Sequence, residues 1–151
     1  MKKVKILFLS PLLTATCFVV FAQTSRPEQQ VATSTGSKKD TIAVLSLLAL
    51  GKTQLELGGD ISTAISYAQK AESLSMQMGY PKGLGESALL MAGCLKRLDK
   101  FEEAVPILKK AEAIFDQMKS NDGLVTTYSL RGAMDQDLSV RESYYEKALS
   151  L

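Results

Sequence analysis

The amino-acid sequence predicts an all-α fold, built from stacked antiparallel helical hairpins, about three of them. Three observations carry this. Residues 60–84 slid against residues 100–124 give eight identities in 25 positions: Ala64/Ala104, Lys70/Lys110, Ala71/Ala111, Glu72/Glu112, Gln77/Gln117, Met78/Met118, Gly83/Gly123 and Leu84/Leu124. Apolar residues recur at three- and four-residue spacing, the period of one helix face. From Thr41 onward no Val/Ile/Thr-rich alternating segment occurs, and helix formers fill long stretches broken only by Pro81 and Pro106.

The chain of 151 residues opens on Met-Lys-Lys-Val-Lys, followed by an apolar run from Ile6 to Ala22. A positive start, an apolar run and a Val20-Phe21-Ala22 ending describe an export signal cut between Ala22 and Gln23. Residues 1–22 are therefore expected to leave, and the protein to be periplasmic or secreted. An uncleaved anchor is the alternative, because a run of 17 residues, broken by Ser10, Pro11 and Thr14, lies at the lower limit for spanning a bilayer. Cys17 lacks the preceding Leu and Gly/Ala of a lipid-attachment site and reads as part of the apolar run. Residues 23–40 are polar and without periodicity, which predicts a flexible leader, since little apolar surface offsets its chain entropy. The helical domain is expected over 41–151.

The first hairpin is expected to pair a helix from about Thr41 to Leu57 with one from Ile61 to Met78, the two separated by Gly58-Gly59 and the second ended by Gly79. The second pairs Pro81–Arg97 with Phe101–Lys119 across a Leu98-Asp99-Lys100 turn. Pro81 stands early in its helix, where a missing N–H is harmless. Pro106 lies deeper, and should remove one backbone bond and bend the helix. The third begins at Asp122 and reaches its second helix at about Ser139. Small residues mark the closest approach of paired helices: Gly51, Ala92 and Gly132, provided the first turn holds one extra residue. Ala64, Ala71, Ala104, Ala111 and Ala148 do the same on the second helices.

Gly59-Asp60-Ile61-Ser62-Thr63-Ala64 followed by Ala71, and Asp99-Lys100-Phe101-Glu102-Glu103-Ala104 followed by Ala111, resemble the tetratricopeptide repeat. The third copy keeps Tyr144-Tyr145-Glu146-Lys147-Ala148-Leu149, with Arg141 where the first alanine belongs. The spacing of 40 exceeds the usual 34 of that family and looks like the longer variant of bacterial sensor and regulatory proteins. The resemblance implies a binding module whose concave face is lined by the first helix of each hairpin. It places Glu86, Leu89, Gly93, Lys96 and the adjacent Arg97 in a groove, with Thr126, Ser129, Ala133 and Gln136 as their third-hairpin counterparts and Lys52 from the first. A protein or peptide partner, extended or helical, suits a groove of mixed charge.

Composition narrows the chemistry further. There are 18 Lys+Arg against 16 Asp+Glu, and loss of Lys2, Lys3 and Lys5 leaves 15 against 16, a net charge of −1. A near-neutral chain has no field to attract a phosphate backbone, so nucleic acid is not an expected partner. After signal removal no membrane association is expected either. Histidine is absent, and with it the commonest general base and metal ligand. Glu102 and Glu103 point about 100° apart on a helix and cannot share a reacting atom. No serine has a partner base in a strand-turn-helix setting, and Gly79–Gly85 lacks the Lys-Ser/Thr of a phosphate loop. Cys94 alone cannot form a disulfide within the mature chain and reads as a small buried hydrophobe. No enzyme activity, cofactor or metal is expected.

The carboxyl end, Ala148-Leu149-Ser150-Leu151, keeps an apolar face where terminal repeats usually carry a polar cap. A further repeat or a partner is expected to dock there. In a second reading the chain is the periplasmic input region of a longer signalling protein, such as a sensor histidine kinase or transcriptional regulator.

Overall fold

A computed structural model describes residues 32–151, with side chains from Asp40 onward. The expected signal (1–22) and the first part of the expected leader (23–31) lie outside the described residues. Six helices follow in order: α1 (Ala32–Glu56), α2 (Ile61–Met78), α3 (Pro81–Arg97), α4 (Phe101–Gln117), α5 (Asn121–Gly132) and α6 (Leu138–Leu149). No strand occurs among the described residues. The packed unit runs from Gly36 to Leu151, and within it α2 lies on α3, α3 on α4, α4 on α5 and α5 on α6. The all-α stack of hairpins expected from the sequence is the observed architecture.

One boundary differs from the sequence expectation. Helix α1 begins at Ala32, not Thr41, so residues 32–40 of the expected flexible leader are helical. Once Val44 and Leu48, both buried, fix the helix, each preceding residue adds a backbone bond without a new nucleation cost. Ala32, Lys38 and Lys39 are good helix formers, and polarity alone does not stop such growth.

Four of the inter-helix turns close in one way. A residue with left-handed backbone sits just beyond the helix: Gly58 (φ 69°), Gly79 (φ 60°), Asp99 (φ 55°) and Lys119 (φ 52°). The next N–H then donates to a carbonyl five residues back, at 2.8–2.9 Å: Gly59 to Gln54, Tyr80 to Ser75, Lys100 to Leu95 and Ser120 to Phe115. Glycine takes this conformation without a Cβ clash, whereas Asp99 and Lys119 carry a penalty of about 1–2 kcal/mol each that the surrounding packing outweighs. Gly58 precedes Asp99 by 41 positions while Gly79 precedes Lys119 by 40. The single extra residue in the first turn is thus real, and it brings Gly51, Ala92 and Gly132 into equivalent places.

Those three small residues sit where the sequence requires them. A Cβ on Gly51 would lie 3.5 Å from the Ala64 carbonyl and collide with Leu90. On Gly132 it would lie 3.2 Å from the Arg141 carbonyl and against the Tyr145 ring. Arg141 therefore occupies the place of Ala64 and Ala104, and its guanidinium escapes the contact by folding onto the Asp135 carbonyl, with Nη2 donating at 2.8 Å. The departure from the alanine pattern becomes a clamp on the α5–α6 turn.

Two buried clusters fill the stack, one on either side of α3. Val44, Leu48, Ala64, Ala68, Ala71, Leu90 and Cys94 form the first. Ala88, Leu89, Ala92, Leu95, Ala104, Leu108, Ala111, Phe115, Leu124 and Met134 form the second. Phe115, 1% exposed, drives its ring between two glycines: a Cβ on Gly85 would stand 2.5 Å from its Cζ, and one on Gly123 would strike its Cδ1 edge. In the first repeat the equivalent position is Ser75, fully buried with an unpartnered hydroxyl, and there Tyr80 fills the space against Gly83. Helix α4 continues unbroken through Pro106, whose nitrogen has no hydrogen to donate to the carbonyl of the exposed Glu102.

Asp60 caps α2, its carboxylate accepting from the N–H groups of Ser62 and Thr63 and from both their hydroxyls, the latter at 2.6 Å. These bonds hold its pKa at about 2, below the ordinary 3.8. A lowered folded-state pKa stabilises the fold fully above the unfolded value, and that contribution disappears as pH falls through the folded value. The stability advantage of the wild type over Asp60→Ala is accordingly expected to shrink from pH 4 to pH 2, read from thermal melts across that range. An advantage constant down to pH 2 would remove the cap assignment.

Candidate functional site

The first helices of the three hairpins, α1, α3 and α5, line one concavity of about 570 Å³. Lys52, Leu55 and Glu56 come from α1; Glu86, Leu89, Leu90, Gly93 and Lys96 from α3; Thr126, Ser129 and Leu130 from α5, with Ala133 at its end. The lining is periodic. Lys52, Gly93 and Ala133 hold equivalent places, as do Leu55 and Lys96, Glu86 and Thr126, Leu89 and Ser129, and Leu90 and Leu130. A repeat unit that turns one helix face inward generates this set without further instruction.

Small residues keep the middle open, since Gly93 and Ala133 project almost nothing into it. Leu89 and Leu90, 8% and 3% exposed, form an apolar floor continuous with the core. Lys52 Nζ donates to Glu86 Oε2 at 2.7 Å across the α1–α3 seam, its side chain half exposed. The pair cancels its own charge and adds little stability at such exposure. Lys96 has no ion-pair partner among the described residues, so it and Glu56 set the charge at the rim. Cys94, next to Gly93, is buried in the core beside Leu90, where burial pushes its thiol pKa up.

Of the residues singled out in the sequence, Lys52, Glu86, Leu89, Lys96 and Ser129 meet in this concavity, together with Gly93, Thr126 and Ala133. Arg97 does not line it. Its Nη1 donates to the Leu55 carbonyl at 2.9 Å, which ties α3 to the end of α1. Gln136 is also outside, because α5 ends at Gly132 and residues 133–137 form the connection to α6. Asp135 ends any helical continuation there by accepting from the Asp137 N–H at 3.0 Å, and Asp137 then caps α6 by accepting from Ser139. Leu55, Glu56, Leu90 and Leu130 belong to the lining but were not singled out. Shifting the Lys96–Arg97 pair back by 41 positions would have found the first two.

No family model, curated protein or solved structure matches the chain. The concavity is therefore read on its own geometry. Among the described residues no helix is long and apolar enough to cross a membrane.

Proposed function

We propose that the chain is an exported, non-enzymatic interaction module of the tetratricopeptide kind, holding a peptide or partner helix of another protein in the α1–α3–α5 groove. One observation carries this: equivalent side chains from three successive hairpins converge on a single open concavity with an apolar floor and charged rim. An apolar floor with Lys96 and Glu56 at its rim suits a segment that carries both apolar anchors and charges. The positively charged start and apolar run of residues 1–22 support export.

The test compares full-length chains immobilised and exposed to extracts of the exported fraction. Lys96→Glu combined with Ser129→Arg reverses the rim and narrows the groove, and recovery of a bound protein is expected to fall at least about tenfold, equivalent to 1.4 kcal/mol. Lys109→Glu, on the outward side of α4, should leave recovery unchanged. Equal recovery by all three chains would overturn the groove assignment.

A further inference from the structure

Helix α1 presents a stripe that, by the repeat, belongs inside an interface. Ile42, Ser46, Ala49, Leu50 and Thr53 are all exposed, Ile42 at 64% and Leu50 at 49%. The 41-residue offset pairs them with Gly83, Ser87, Leu90, Met91 and Cys94 of α3. Of these, Gly83, Ser87, Leu90 and Cys94 are buried, with Gly83 seated against Ser75 of α2. The correspondence extends to a hydroxyl bonded back to its own helix: Ser46 to the Ile42 carbonyl at 2.8 Å, Ser87 to Leu84 at 2.9 Å and Thr127 to Gly123 at 2.7 Å. Ser87 and Thr127 are buried, and Ser46 is exposed.

Helix α6 shows the complementary face. It starts 37 residues after α4 begins, so Tyr145 stands for Leu108, Ala148 for Ala111 and Leu149 for Glu112. Glu112 is the α4 position that reaches α5, where it accepts from Arg131 at 3.4 Å and from the Tyr128 hydroxyl at 3.1 Å. Arg131 in turn corresponds to Met91 and to Leu50. The Arg131–Glu112 ion pair between α5 and α4 thus maps onto two exposed leucines, Leu149 at 88% and Leu50 at 49%. No residue of α6 is buried.

We infer that a second copy of this chain docks head to tail, its α1 stripe lying on α6 as α5 lies on α4, with Leu50 against Leu149. Three features select this occupant: the internal interface supplies its geometry, both halves of it are exposed on one molecule, and the charged pair of the internal contact has become apolar at both ends. Head-to-tail docking is a heterologous contact in which each copy presents a different patch, and two apolar patches meet there without leaving a charge unpaired. The groove stays open in this arrangement, so the inference stands apart from the proposed function.

The test uses the full chain in analytical ultracentrifugation over a concentration series. The wild type is expected to grow in mass with concentration. Leu50→Arg alone and Leu149→Glu alone should each reduce the associated fraction at least about tenfold, and both sites are exposed enough for circular dichroism to remain unchanged. Mixing the two single variants should restore growth in mass, because the two unaltered faces meet at one contact and the introduced arginine and glutamate at the next. The double variant Leu50→Arg/Leu149→Glu should recover association, reproducing Arg131–Glu112 between molecules, and that recovery should weaken in high salt. A wild type that stays monomeric overturns the inference, as does association through α1 alone, for which Leu149→Glu would have no effect. A chain that associates only after residues 1–31 are removed would assign the α1 stripe to its own leading segment, with the same consequence.

Discussion

Phe115→Ala is expected to destabilise the fold by about 3–5 kcal/mol, read from chemical denaturation of the full chain. The ring is 1% exposed and fills the slot between Gly85 and Gly123, so α3, α4 and α5 all lose contacts when it goes. Two glycines on separate helices cannot close such a space, because neither carries atoms to move into it. The slot also predicts a coupling. In the wild type, Gly123→Ala pushes a methyl into the ring edge and is expected to cost about 1–3 kcal/mol. With Phe115→Ala already present, the same methyl enters vacated volume and the cost should vanish or change sign. Additive losses in the double variant would mean that the ring and the glycine do not share that space.

The second large effect is expected at Gly51. Leucine there must displace Leu90 and press on the Tyr67 Cβ and the Ala64 carbonyl, whose distances from an added Cβ are 3.3 and 3.5 Å. Overpacking of this kind costs about 1–3 kcal/mol, and the helix-propensity gain of roughly 1 kcal/mol on leaving glycine offsets part of it. Gly51→Ala asks only that the Leu90 terminus turn aside, so it should be close to neutral. The pair is read by thermal melts; a leucine variant as stable as the alanine variant would show that α1 and α2 do not approach at this point.

The hairpin plan was legible because it is written twice. Local turn signals at Gly58-Gly59, Gly79, Pro81 and Leu98-Asp99-Lys100 located the ends of α2 and α3, and the 40-residue offset located the close contacts at Ala64 and Ala104, since packing between repeats constrains the same side chains each time. Where a unit departs from the pattern, legibility falls. Gln136 was expected in the groove as a helical counterpart of Lys96, but α5 stops at Gly132, and the Asp135–Asp137 turn that replaces its last turns has no equivalent upstream. Arg97 was read from its place on the helix face, whereas its length lets it reach the Leu55 carbonyl. The slot around Phe115 was invisible for a related reason. Its equivalent is Ser75, so comparison of repeats showed a mismatch there and not a contact. The start of α1 was misplaced because helix growth beyond a packed segment depends on the segment and not on the residues added.

The arrangement of the two buried clusters has a consequence for how the molecule comes apart. Leu90 and Cys94 of α3 belong to one, Ala88, Leu89, Ala92 and Leu95 to the other. This helix is a party wall between two rooms, and neither can be emptied while it stands. Melting of the first five helices should therefore be a single event, with their slowest amide protons sharing one opening free energy. Only α6, with nothing of its own interred, can swing away and leave the building upright.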